Sequence, residues 1–409
     1  LHMVPTQPGR ITIYSPYKTG KDHIMNETTT TPEEDRTIPF EFKGKGSEYF
    51  KIWIVNLCLT GITLGIYSAW AKVRRNRYFY GNTALDGNSF EYLANPVSIL
   101  KGRLIAFACF AVYTLIPHFM TWAKVGPINI FVAQGILFVL LMIALPWFII
   151  RSLAFRARNT AYRNIRFNFK GCYLDALLNY ALIPIVFVVT VFGITYLAVN
   201  DREFAKQMQM YILVALVSIL PIYPYLLFRQ KRMVVANSRY GASHFRFTSP
   251  VRAFYAVFGL LIFLSIVLVP IYFFTTMAIA SAAKTAESPF TFIAIAYFWT
   301  AIVYTYYFAF YNAYIGNVTF NGIEIDGHKL RSNLSTGGLF KIYLTNILGI
   351  IFTLGLYIPW AKIRTVKYRT DHVWLLPAGA LDQLVAGQQG NIGAAGEELG
   401  EMFDFDVSL

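Results

Sequence analysis

The stretch FKIWIVNLCLTGITLGIYSAWAKVRRNRY, Phe50 to Tyr78, returns 290 positions later as FKIYLTNILGIIFTLGLYIPWAKIRTVKY, Phe340 to Tyr368, with 13 of 29 residues identical. Both copies run from an apolar segment through Thr-Leu-Gly and a tyrosine to Trp-Ala-Lys and further basic residues. One copy opens the hydrophobic part of the chain and the other closes it. A repeat placed at both ends constrains topology before any fold is assigned.

The surrounding composition is that of a bilayer protein. Of 409 residues, 56% are hydrophobic, 17% aromatic and 14% charged, and charge-free stretches run 52–71, 104–123, 125–150, 176–200, 207–228, 253–283, 288–323 and 342–361. Each reaches the roughly 20 residues that cross a hydrocarbon core of about 30 Å. No stretch near the N-terminus has the layout of a secretory signal peptide, so the first hydrophobic segment is expected to be retained. Cys58, Cys109 and Cys172 lack ligand spacing and read as apolar packing.

The formal net charge of +14 is concentrated in three segments. Arg151, Arg156, Arg158, Arg163, Arg166 and Lys170 occupy one without an acid, and Arg229, Lys231, Arg232, Arg239, Arg246 and Arg252 another. The third, 71–103, carries six basic residues against Asp86 and Glu91. The other connections are short and nearly neutral. The positive-inside rule therefore assigns the basic segments, and with them both termini, to the cytoplasm. Anionic lipid headgroups are the natural partners of such loops, a protein partner or a second copy is admitted, and nucleic acid is not expected.

If all eight segments crossed once, the basic ends of the two repeat copies, Lys72, Arg74, Arg77 and Lys362, Arg364, Lys367, would face opposite sides. The conflict disappears if each copy turns back at Thr63-Leu64-Gly65 and at Thr353-Leu354-Gly355, because glycine eases a sharp backbone change. Two readings stand: two broken or re-entrant hairpins, or two ordinary crossings. Under the first, Asn56, Thr63, Gly65, Tyr67, Asn346, Thr353, Gly355 and Tyr357 flank the breaks and are candidate cavity residues. Trp70, Lys72, Arg74, Trp360, Lys362 and Arg364 then form candidate headgroup sites at the membrane edge.

PIYPYLLFRQKR, Pro221 to Arg232, resembles the end of the first copy, and its downstream Arg232, Asn237 and Phe245 align with Arg77, Asn82 and Phe90. Alternating residues in FEFKG at Phe40, FNFKG at Phe167, SFEY, HFRF and VTFNGIEID (Val318 to Asp326) read as short cytoplasmic strands. The fold class expected is an all-α polytopic membrane protein over a small β layer. It would have six full spans plus two broken hairpins, or eight spans, in two and a half pseudo-repeats. The boundaries are a flexible lead 1–38, units 39–153 and 154–313, a partial unit 314–376, and an acidic tail 377–409 whose EELGEMFDFDV could form a helix that docks on the basic loops.

TLGIYSAWAKVRRNRY followed by FEY, then RNTAYRNIRFNFKG and TLGLYIPWAKIRTVKY, resemble the YjgN family of bacterial inner-membrane proteins over about residues 40 to 376. The family is described as uncharacterised, so the resemblance implies an inner-membrane location and this broad architecture, with no reaction or substrate.

No zinc-protease histidine pair, nucleophile elbow or phosphate loop is present, so neither an enzyme nor a cofactor is expected. The spans lack the ionisable groups that proton-coupled carriers keep. Two functions remain: a transporter-like or channel-like protein for a neutral, lipidic or amphipathic solute, and a non-catalytic scaffold binding anionic lipid or a protein partner.

Overall fold

A computed structural model describes residues 37–200, 202–285 and 289–379; most of the lead and the acidic segment beyond residue 379 lie outside them. Ten strands close into one antiparallel barrel in sequence order, with the first and last strands sealing the ring. They are β1 (Ile38–Phe42), β2 (Thr83–Leu85), β3 (Asn88–Tyr92), β4 (Thr160–Tyr162), β5 (Ile165–Phe169), β6 (Ser238–Tyr240), β7 (Ser243–Phe247), β8 (Ile323–Ile325), β9 (His328–Ser332) and β10 (Val373–Leu376). The separate strands expected under an all-α bundle are thus one closed element, and mostly helical segments are hung from it. Val318–Phe320, read as strand in the sequence, is helical, and only Ile323–Ile325 pairs.

Two kinds of connection alternate around the barrel. At one end, two-residue turns join β2 to β3, β4 to β5, β6 to β7 and β8 to β9. Asp86-Gly87, Arg163-Asn164 and Asp326-Gly327 have both residues at positive φ, and Gly241 alone is left-handed in the fourth. These are the backbone demands of type I′ and type II′ hairpins, whose twist matches that of the strands.

At the other end the chain makes five helical excursions among the described residues, and each returns to the strand beside its departure. The first is α1 (Gly46–Ile62) with α2 (Ser68–Gly81), and the second α3 (Pro96–Trp122) with α4 (Pro127–Arg158). The third comprises α5 (Tyr173–Ala176), a π-turn Leu177–Ala181, α6 (Leu182–Asn200), α7 (Arg202–Ile219) and α8 (Tyr223–Ala236). The last two are α9 (Val251–Thr285) with α10 (Pro289–Phe320), and α11 (Thr336–Phe352) with α12 (Ile358–Asp371).

One backbone hydrogen bond closes every excursion at the same place. Lys43, Leu93, Lys170, Thr248 and Asn333 donate their N–H to the carbonyls of Asn82, Asn159, Asn237, Gly322 and His372, at 2.8, 2.9, 3.0, 2.8 and 3.2 Å. Asn82, Asn159 and Asn237 also cap their helices through side-chain amides donating to Tyr78, Phe155 and Met233 carbonyls. The strand, helical excursion, strand pattern therefore recurs five times, and the two full units read in the sequence each group two of these excursions, the partial unit one.

The barrel is filled from within. Strand register sets Phe40 opposite Leu85, Phe90 opposite Tyr162, Phe167 opposite Tyr240, Phe245 opposite Ile325 and Leu330 opposite Leu375. These ten side chains, with Ile38 and Ile165, pack as one cluster. Ten strands enclose more space than the eight that ordinary side chains just fill; here aromatic rings supply volume, with Phe90 and Tyr162 centroids 4.9 Å apart and Phe167 and Tyr240 5.0 Å apart. Tyr240 donates to the Tyr162 carbonyl at 3.0 Å and Tyr162 to the Leu85 carbonyl at 2.8 Å, tying the three-residue strands β2, β4 and β6 together. Burial, with the neighbouring Tyr162, pushes the Tyr240 phenol up to about 12.

Helix ends have local causes. Asn95 Oδ1 accepts from the Val97 N–H, and Pro96 takes the first helical position of α3; Ser335 Oγ caps α11 through the Gly338 N–H. Among the described residues five helices are long and apolar enough to cross a membrane, or six if α7 and α8, bent by 44° at Leu220–Ile222, are one span.

Candidate functional site

The two repeat copies form the first and fifth excursions, α1–α2 and α11–α12. In each, the helix stops at the Thr-Leu-Gly segment. Leu64 and Gly65 take φ of 49° and 93°, and Leu354 and Gly355 repeat this at 49° and 94°. A leucine in the left-handed region is uncommon, and the same hydroxyl bridge holds it in both copies. Thr63 donates to the Leu59 carbonyl at 2.7 Å and accepts from the Tyr67 N–H at 2.9 Å; Thr353 does the same with Gly349 and Tyr357, at the same distances.

Beyond the turn the correspondence continues. Tyr67 stacks on Trp70 and Tyr357 on Trp360, with centroids 6.2 and 6.1 Å apart. Arg74 and Arg364 donate to the Tyr67 and Tyr357 hydroxyls at 3.1 and 3.2 Å. The buried asparagines differ. Asn346 donates to the Ala361 carbonyl and Thr365 hydroxyl and accepts from Arg364, whereas Asn56 Oδ1 is buried without a hydrogen-bond partner.

The hairpins lie side by side, with α1 against α12. Phe50 packs on Trp360 at 5.1 Å, and the Lys362 ammonium sits 5.9 Å from the Phe79 ring centroid. Their tips are apolar and bare: Leu64 is 94% exposed and Leu354 95%. At about 1.5 Å per residue, α1 with its 17 residues spans about 26 Å, against about 48 Å for the 32 residues of α4.

Lys72 opens onto a second feature. A cavity of about 250 Å³ between α2, α3 and α4 is lined by Lys72, Arg103 and Arg151, with Ser98, Ser152 and Trp147. Arg103 donates to the Ser68 hydroxyl, and the Arg151 guanidinium lies 5.5 Å from the Trp147 ring centroid. Arg103, Arg156 and Arg75 all act on Lys72 as like charges, and no ion pair formed among the described residues includes any of these cations.

Of the residues singled out in the sequence, only Lys72 reaches this notch. Arg74 and Arg364 turn to their tyrosines, and Lys362 turns to Phe79. Arg103 and Arg151 were visible only as members of basic segments, although each directly borders a charge-free stretch. A larger chamber of about 440 Å³ lies at the barrel floor, lined by Phe40 and Leu330 from the strands and by Lys231, Tyr311, Asn312 and Arg369 from the helices. Among the described residues no group of three His, Cys, Asp or Glu could hold a metal ion.

A family model described as a bacterial protein of unknown function (DUF898) matches residues 37–402. The chain is 26% identical over 370 residues to the inner membrane protein YjgN of Salmonella typhimurium, covering 84% of this chain and 89% of the relative. It is 33% identical over 130 residues to inner membrane protein YjgN of Escherichia coli K12, covering 32% and 30% of the two chains. No solved structure matches.

Proposed function

The chain belongs to the DUF898 family of bacterial proteins, and from that premise we propose that it is a multi-pass inner-membrane protein that handles a lipidic or amphipathic molecule at a recess open to the bilayer. The observation that carries this reading is the difference in reach among the five excursions. From the barrel edge to Arg103 on α3 and Arg151 on α4 is seven residues, about 10 Å; what remains of each helix matches a hydrocarbon core of about 30 Å. The α6/α7–α8 and α9–α10 pairs are similarly long. The two repeat hairpins reach only about 10 Å past the level of Lys72 and stop.

Three excursions thus cross the membrane and two adjacent ones turn back inside its cytoplasmic leaflet. Their exposed leucine tips sit in acyl chains, and the space across from them is left to lipid. The basic segments all fall at the barrel end, which supports reading the barrel, Thr37 and Gly379 as cytoplasmic. A barrel packed with aromatic rings offers no axial route, so the path for a solute is lateral, between the short hairpins and their long neighbours. Half-depth helices around a membrane-facing site are a recurring device of transporters.

The test is transbilayer movement of a fluorescent phospholipid in vesicles containing the purified protein. The expected result is movement faster than in protein-free vesicles, slowed by Leu64→Asp with Leu354→Asp. Folded protein that gives no acceleration would overturn the reading and leave the scaffold role.

A further inference from the structure

We propose that the notch between α2, α3 and α4 binds the phosphate of an acidic phospholipid through Lys72, Arg103 and Arg151. The proposal rests on the reading of α1–α2 as a hairpin in the cytoplasmic leaflet, and it names a ligand class for that face.

Three cations supplied by three different helices converge on one cavity of about 250 Å³. Arg103, Arg75 and Arg156 repel Lys72, and Arg75 also repels Arg103. No carboxylate among the described residues pairs with them. Like charges held together in a partly desolvated site oppose folding unless an anion joins them. Arginine forks bind phosphate oxygens two at a time, a lysine adds a compact charge, and the Ser98 and Ser152 hydroxyls supply neutral donors.

The position of the notch selects a lipid over a free anion. Arg103 is the last charge before the apolar run of α3 and Arg151 the first after that of α4, so the cations lie where headgroup gives way to hydrocarbon. Trp147, on which Arg151 rests, belongs at that depth. On the side away from the barrel the wall is formed by Ile105, Ala106 and Phe148, which are apolar and lead along the helices in the direction acyl chains would take.

The experiment uses the full chain in neutral detergent, with phosphatidylglycerol, phosphatidylcholine or inorganic phosphate added, read by native mass spectrometry and by the thermal midpoint. Wild type is expected to retain phosphatidylglycerol and gain stability from it, with phosphatidylcholine and phosphate giving little of either. Arg151→Gln and Lys72→Gln should each weaken phosphatidylglycerol binding about tenfold or more, while Lys329→Gln on the outer face of the barrel should not. Without lipid, both notch variants should melt no lower than wild type, because mutual repulsion has been relieved; if one melts lower, the lipid-induced shift measured on that variant still decides. Equal phosphatidylglycerol binding by variants and wild type would overturn the site. Equal binding of inorganic phosphate would overturn the lipid assignment. Weakened binding with lipid movement intact supports the notch and uncouples it from the recess, and binding without any lipid movement removes the transport reading alone.

Discussion

Phe50 and Trp360 stand with ring centroids 5.1 Å apart, so the two copies of the repeated segment touch each other through the residue that opens one and the tryptophan that follows the turn of the other. A Cβ built on Gly46 would come within 2.3 Å of the same indole. Gly46→Ala should therefore push Trp360 off its seat and cost about 1–3 kcal/mol. Gly61→Ala, also in α1 but with open space around it, should be neutral or mildly stabilising. Thermal midpoints of the two variants in one detergent make the comparison.

Asn56 and Asn346 occupy matched positions with unequal bonding. Asn346→Leu should cost about 1–3 kcal/mol, since Arg364 and Thr365 lose a partner and the site is buried. Asn56→Leu removes a carbonyl oxygen that already lacks one and should leave stability unchanged or raise it. Equal losses in a denaturation series would refute the asymmetry.

The barrel should weaken in mild acid. His328 is buried, and its Nδ1 accepts the Ala378 N–H at 3.1 Å; protonation would turn that acceptor into a donor. Burial lowers its pKa from the ordinary value of about 6.5, with Asp326 opposing more weakly. The unfolded chain therefore binds this proton first as pH falls. Stability from this group is complete above about pH 6.5 and declines below it, towards the depressed folded value. His328→Asn should flatten that part of the curve, read as thermal midpoint against pH.

Topology is open to cysteine labelling on a background without Cys58, Cys109 and Cys172. Ser47→Cys and Arg75→Cys should react with an impermeant maleimide from the same face, and Leu64→Cys should be shielded until the membrane is dissolved. Labelling of the first two from opposite faces would exclude the hairpin.

Much of the barrel was legible one strand at a time. Phe40, Phe90, Phe167 and Phe245 stand in short alternating runs, and the period of two is visible in a handful of residues. Its closure was not, because strands of three to five residues carry no mark of their partners. Asp86-Gly87 and Asp326-Gly327 were the available hairpin signals. The Thr-Leu-Gly turns stood out because the two copies agree, whereas the excursions through α3–α4 and α9–α10 lack that motif and were legible only as pairs of apolar spans. The notch escaped notice for a different reason. Arg103 and Arg151 meet Lys72 only once α3 and α4 have packed together, and local sequence does not encode that meeting.

The seam between β1 and β10 also has a consequence in time. Ile38 pairs with Leu375 and Pro39 with Trp374, so the ring waits for Val373–Leu376, among the last of the described residues to leave the ribosome. Until then every helical pair already delivered to the membrane hangs from an open sheet with two unpaired edges, the condition in which strands recruit wrong neighbours. The four residues of β10 thus act as a completion signal: a chain truncated before Val373 keeps all its long apolar helices and has no means of closing the scaffold that holds them in a ring.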